Sequence, residues 1–203
     1  MKQFRLAVIL CCVAAALGLG VLVYIKEPAP KAPASAAEGA LQIGGDFKLV
    51  NQDGKPVDQR LLKGKWSAVF FGFTYCPDVC PTTLQTLGAA VDQLGPKGKD
   101  LQIIFISVDP ERDTAPKLKA YLASPGFPKG IIGLTGTPDQ VKAAAKAYRA
   151  YFEKDGTGES YLVNHTSLIY LMNRDGKFSR VLAYGLSPDE NARQILDAMK
   201  TGS

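Results

Sequence analysis

Histidine is nearly absent from this chain, and cysteine is scarce once one apolar stretch is set aside. His165 is the single histidine, and of four cysteines only Cys76 and Cys80 lie outside the run Leu6 to Ile25. Thiol and imidazole chemistry in the rest of the chain therefore falls on three residues. Lysine and arginine form no cluster and do not alternate with aromatic residues, which excludes a nucleic-acid footprint. No internal repeat is visible, and no Arg- and Ser-rich transit segment opens the chain, which favours a bacterial inner membrane over an organelle. No peroxide-activating arrangement surrounds either thiol.

The long apolar run that is present, Leu6 to Ile25, is about the 20 residues needed to cross a hydrocarbon core. A cleavable signal would have a shorter apolar region followed closely by an Ala-x-Ala-like site, and Ala34-Ser35-Ala36 lies too far downstream. Bulky Leu10 stands where a lipidation site wants a small residue, so Cys11 and Cys12 read as packing residues. Residues 1–25 are thus expected to be a single-pass anchor. Lys2 and Arg5 would keep its N-terminus cytoplasmic and place the remainder in the periplasm. Residues 26–40 hold Pro28, Pro30 and Pro33 and no large apolar side chain, the composition of a linker. Extended, it would reach roughly 45 Å. Residues 41–203 have the length of one domain.

Within that domain the hydrophobic period switches between strand and helix, the mark of an α/β fold. Phe47 to Val50 and Val57 flank a turn at Asn51-Gln52-Asp53-Gly54, an N-terminal hairpin. Trp66 to Phe73 and Leu101 to Val108 are continuous apolar runs suited to strands buried on both faces. Between them Leu84, Leu87, Val91 and Leu94 recur at helical spacing after Pro81. Thr137-Pro138-Asp139-Gln140 and Ser187-Pro188-Asp189-Glu190 are two helix starts, and a further helix falls around Thr114 to Ala123. Asn173-Arg174-Asp175-Gly176 separates two late strands of a hairpin. This order predicts a thioredoxin-like fold with an added N-terminal β-hairpin, preceded by one transmembrane helix.

Cys76 and Cys80 fall at the first corner of the strand–helix–strand unit, with three residues between them where thioredoxin relatives usually have two. Pro81 at the first helical position would make Cys80 the cap, where the dipole and free N–H groups favour a thiolate, with Asp78 opposing them. Cys76 has no comparable reason for a lowered pKa. His165 follows a segment, Lys154 to Ser160, that reads as a mobile loop and enters the late hairpin near the cysteines. Two thiolates and an imidazole there suit Cu(I), or Cu(II) with a weak further ligand, better than zinc, which wants four protein ligands at a structural site. A disulfide between Cys76 and Cys80 is also sterically open, though it would close a very short loop. Asp109, Glu111, Arg112 and Asp113 read as a polar strand-end loop.

Phe-Thr-Tyr-Cys-Pro-Asp-Val-Cys-Pro at 73–81, Ser-Val-Asp-Pro-Glu-Arg-Asp-Thr at 107–114 and Tyr-Leu-Val-Asn-His-Thr-Ser at 161–167 closely resemble the Sco/SenC family of copper chaperones. The resemblance spans about residues 40 to 200. It implies a thioredoxin-like domain in which Cys76, Cys80 and His165 bind copper. The implied role is delivery to the binuclear copper centre of cytochrome c oxidase subunit II, with a periplasmic copper donor as a second partner. Asn164 departs from the pattern, since many relatives have Asp before the histidine.

The expected function is therefore a metallochaperone rather than an enzyme. The alternative is a thiol-disulfide oxidoreductase in which Cys76 and Cys80 are redox-active and reduce the acceptor's cysteines before metallation. Dependence on His165 separates the two.

Overall fold

The structure is a computed structural model that describes residues 42–158 and 160–202. The anchor at residues 1–25, the linker at 26–40 and the start of the domain at residue 41 lie outside them. Among the described residues no helix is long and apolar enough to cross a membrane.

Strands β1 (Lys48–Asn51) and β2 (Pro56–Asp58) form the expected hairpin around Gly54. β3 (Trp66–Gly72) leads into helix α1 (Val79–Gln93) and returns as β4 (Leu101–Ser107), paired in parallel with β3 along its whole length. Helix α2 (Ala115–Leu122), β5 (Ile132–Thr135) and helix α3 (Pro138–Ala147) follow. A separate ribbon of β6 (Phe152–Asp155) and β7 (Leu162–His165) precedes the hairpin of β8 (Ile169–Met172) and β9 (Phe178–Leu182), and α4 (Pro188–Thr201) closes the domain. The seven-stranded sheet runs β2-β1-β5-β4-β3-β8-β9. Its β3–α1–β4 unit beside the antiparallel β8–β9–α4 unit is a thioredoxin-like core. β5 and the N-terminal hairpin extend it past β4.

Apolar sequence sets this order. Every residue of β3 is buried, as the middle of a sheet covered on both faces requires. Successive side chains point to opposite faces. Phe71 therefore meets Tyr148 and Tyr170 on one face, while Phe70 packs on Phe105 at the other. Leu84 and Leu87 bury the inner stripe of α1, which packs on α4. The helix starts are built as their residues predict. Thr137 and Gln140 close a reciprocal capping box on α3, and Ser187 Oγ accepts from the Glu190 N–H on α4.

Two local expectations are corrected. Helix α1 begins at Val79 with Asp78 as its cap residue, two positions before Pro81. Proline is tolerated there because first-turn N–H groups have no intrahelical acceptor. The first part of the supposedly mobile 154–160 loop belongs to β6, held by pairing Lys154 with Val163 and Asp155 with Leu162. The 109–113 loop follows the end of β4 as expected, with Asp109 and Asp113 both buried.

Gly133 on β5 shows how tightly the helices seat. A Cβ there would stand 2.5 Å from Leu122 Cδ1 and 2.8 Å from Leu118 Cγ. Gly133→Ala should destabilise the domain by about 1–3 kcal/mol through overpacking. Urea denaturation would show this as a lowered midpoint, and an unchanged midpoint would mean α2 can shift outward freely.

Candidate metal centre

The site lies beyond the carboxyl ends of β3 and β4, which stay paired to Gly72 and Ser107, at the edge of the sheet where an α/β fold leaves room for one. β3 stops at Gly72, and the chain turns through Thr74 and Tyr75 before α1, with Cys76 N–H donating to Phe73 O at 3.2 Å. Cys76 is half-buried and Cys80, in the first turn of α1, is buried, and both are free thiols. His165 ends β7 and stands between the edges of Phe70 and Phe73, at centroid distances of 6.0 and 5.8 Å. The ligand atoms of Cys76, Cys80 and His165 all lie within 4.8 Å of one another. The structure thus brings together all three residues singled out from the sequence, from two segments 85 positions apart.

The imidazole is oriented by its backbone. His165 Nδ1 lies 3.0 Å from Thr166 O, a carbonyl that can only accept, so Nδ1 carries the proton. Nε2 then presents its lone pair to the sulfurs, 3.6 Å from Cys80 Sγ. This is the common second-layer arrangement of a metal-binding histidine. Asn164 takes no part in it, because its exposed Nδ2 reaches Asp155 Oδ2 across the ribbon.

The two thiols are unlike, and in the opposite sense from the sequence expectation. Cys76 Sγ accepts the Cys80 N–H at 3.4 Å, so Cys76 is the sulfur at the N-terminus of α1. Its pKa is held well below the usual thiol value by hydrogen bonding from the Cys80 side chain, then by the backbone N–H groups of Cys80 and Asp78, against the opposing effect of burial. The Cys80 pKa is pushed up by its role as hydrogen-bond partner to the Cys76 thiolate, by burial and by that neighbouring negative charge. The reversal follows from the helix starting at Val79, which places Cys80 inside the first turn and aims its N–H back at Cys76.

Gly72 was not singled out from the sequence. A Cβ there would lie 2.7 Å from Cys80 Sγ and 2.8 Å from Phe105 Cε2, so only glycine lets the buried sulfur approach the strand. A glycine inside an otherwise apolar buried strand is the signal that could have found it.

The 107–114 motif is the strut of this corner. Asp113 accepts from Thr74 N–H at 3.0 Å, Thr74 Oγ1 at 2.5 Å and Ser107 Oγ at 2.6 Å, pinning the loop that carries Cys76. Burial pushes the Asp113 carboxyl up while these donors oppose it. Asp109 pairs with Arg112 at 2.5 Å and accepts from the Tyr161 hydroxyl at 2.6 Å. Arg112 donates to Tyr161 O at 2.9 Å, and its guanidinium lies 3.5 Å from the Tyr161 ring centroid and 4.6 Å from that of Tyr75. One side chain therefore touches both the cysteine loop and the ribbon that ends in His165.

Two outcomes follow. In the reduced, metal-free protein, iodoacetamide should alkylate Cys76 at pH 6 at least about tenfold faster than Cys80, because the thiolate is the nucleophile. Equal rates, read by mass spectrometry, would contradict the asymmetry. Arg112→Ala strands the Asp109 carboxylate in the interior and should cost about 3–5 kcal/mol. Thermal and urea unfolding measure it, and a loss below about 1 kcal/mol would show that the strut carries little.

The SCO1/SenC family profile matches residues 35–200. The chain is 44% identical over 153 residues to the mitochondrial SCO1 homolog 1 of Arabidopsis thaliana, covering 74% of this chain and 45% of that protein. It spans about half the length of the first mitochondrial relatives it matches. The copper-bound structure of Bradyrhizobium japonicum ScoI is 42% identical with a TM-score of 0.70, covering 76% of this chain and 98% of that one. BsSco, described as having a disulfide switch and as a member of the Sco family of cytochrome c oxidase assembly proteins, is 28% identical with a TM-score of 0.63 over 80% of this chain and 94% of its own. With three of its residues converging at the end of β3 and the family profile covering most of its length, the chain belongs to the SCO1/SenC family.

Proposed function

We propose that this protein is a copper chaperone, anchored in the bacterial inner membrane by residues 1–25, spaced by the linker at 26–40 and carrying its domain in the periplasm. The observation that carries the reading is the convergence of two sulfurs and an imidazole nitrogen within 4.8 Å, with the Nε2 lone pair turned to the sulfurs. Among the described residues this group has three members. A soft three-donor set suits Cu(I), and can hold Cu(II) with a weak fourth ligand, whereas a structural zinc wants four protein ligands. The copper-bound ScoI relative and the description of BsSco as belonging to an oxidase-assembly family support cytochrome c oxidase as the destination.

Copper is the cargo. Half-buried Cys76 is the ligand an acceptor reaches first, and copper would pass as acceptor thiolates replace Cys76, then Cys80 and His165. The binuclear centre of oxidase subunit II is the proposed acceptor, and a periplasmic copper carrier the proposed donor.

The unlike thiols favour a second reading, reduction of the acceptor's disulfide. The Cys76 thiolate would attack one acceptor sulfur and release the other as a thiolate. Cys80, after losing its proton, would then attack Cys76 Sγ, forming a Cys76–Cys80 disulfide and freeing the second acceptor thiol. His165 is not needed for that exchange.

Titrating the reduced full chain with Cu(I) in competition with a chelator should give one bound equivalent. His165→Ala and Cys80→Ser should each weaken binding by more than about 100-fold, beyond the usual effect of losing an outer-shell partner. Natural protein binding no better than the variants, while reducing an acceptor disulfide independently of His165, would sink the chaperone reading and leave the reductase.

A further inference from the structure

Basic residues that lie far apart along the chain meet at the pole of the sheet opposite the metal corner. Three segments sit there, at the amino ends of β3 and β4: residues 63–65 before β3, the helical turn Gly95–Asp100 before β4, and the turn at 173–177 between β8 and β9. They are bonded to one another. Gly64 N–H donates to Arg174 O at 2.9 Å, Lys63 Nζ donates to Asp175 O, and Arg174 pairs with Asp100 at 2.9 Å. Together they expose Lys63, Lys65, Lys97, Lys99, Arg174 and Lys177, against the carboxylates of Asp100 and Asp175.

Among the described residues, Lys65, Lys97, Lys99 and Lys177 form no ion pair. Like charges gathered on one face repel one another, and an anionic surface laid against them relieves that repulsion.

The form of that surface follows from what the pole lacks. Among the described residues the exposed large apolar side chains are Tyr75, Tyr151, Leu162, Val181 and Tyr184, and none lies in these three segments. Without an aromatic or apolar anchor, the pole has neither the centre of a stable protein interface nor a platform for stacked bases. Its long lysine side chains suit a diffuse sheet of negative charge, which is what anionic lipid headgroups present.

We propose that this pole rests against the anionic headgroups of the bilayer and so turns the metal corner away from the membrane. The inference rests on the membrane-anchored reading for why a bilayer is within reach. β3 and β4 run from one pole to the other as seven paired residues each. The cysteine loop therefore stands roughly 20 Å farther out than the lysines.

Trp66 is the chain's single tryptophan and directly follows Lys65, so it reports on this pole. The test reconstitutes the full chain into vesicles of phosphatidylcholine, alone or with about 30% phosphatidylglycerol, that carry a dansyl-labelled headgroup, and reads energy transfer from Trp66. Transfer should be at least about twofold greater in the anionic vesicles, and about 0.5 M NaCl should remove the difference by screening. Lys65→Gln/Lys97→Gln/Lys99→Gln/Lys177→Gln should bring transfer down to the neutral-vesicle level. Lys142→Gln/Lys146→Gln, at exposed positions of α3, should leave the rise intact. Cu(I) uptake by the fourfold variant should match that of the natural protein, since none of its lysines touches the metal corner. Equal transfer in the two vesicle types, a rise that survives in the fourfold variant, or one lost equally in the α3 variant would overturn the proposal. Flotation with phosphatidylcholine vesicles tests the anchor separately. A chain that does not float would refute the anchor, while the phosphatidylglycerol-dependent rise still decides the pole.

Discussion

Asp113 holds its carboxyl inside the domain with three donors, the Thr74 N–H, the Thr74 hydroxyl and the Ser107 hydroxyl, and the metal corner depends on that bond set. Thr74 is two residues before Cys76, and Ser107 is the last residue of β4. The carboxylate therefore fixes the cysteine loop to a central strand. On the same loop, Asp109 and Arg112 make the matching tie to Tyr161, on the segment that leads to His165. Buried charge is costly, and here that cost is offset by donors that exist only when both segments are in place. The corner is consequently assembled with the fold and not afterwards.

The helix start turns that frame into chemistry. Beginning α1 at Val79 makes Cys76 the sulfur that receives a first-turn N–H, and buries Cys80 against Gly72 and Phe105. One thiol is accessible and acidic, and the other is enclosed and reluctant to ionise. Copper binding would displace the Cys80 proton, Cys76 being already the thiolate, so capture and release would be coupled to proton transfer at Cys80. The same difference suits a nucleophile and a resolving thiol. Chaperone and reductase thus draw on one geometry, and the histidine is what divides them.

Much of this was legible beforehand because it is local. Continuous apolar runs gave β3 and β4, hydroxyl and proline punctuation gave the starts of α3 and α4, and Asn173 to Gly176 gave the turn between β8 and β9. The ligand candidates followed from scarcity, since few residues outside the apolar N-terminal run can bind a soft metal. The β6–β7 ribbon was missed in part because Phe152–Asp155 is short and mostly exposed, and it is held by pairing with a strand that carries its own ligand. The bonds made by Asp109, Arg112 and Asp113 were not legible, because the sequence shows a polar strand-end loop that could shape the site and spacing assigns it no partners. Burial of two of its carboxylates is a tertiary fact.

By itself the sequence determined the order of the core strands and helices, the three candidate donor residues and the family pattern, because periodicity, caps and residue chemistry are written along the chain. Only the tertiary structure decided which sulfur is the thiolate, which nitrogen of His165 faces it and what the 107–114 motif does. Those depend on where a helix N–H points, which carbonyl meets Nδ1 and which side chains lose water together. Distances between segments set them, and a linear pattern carries no such distances.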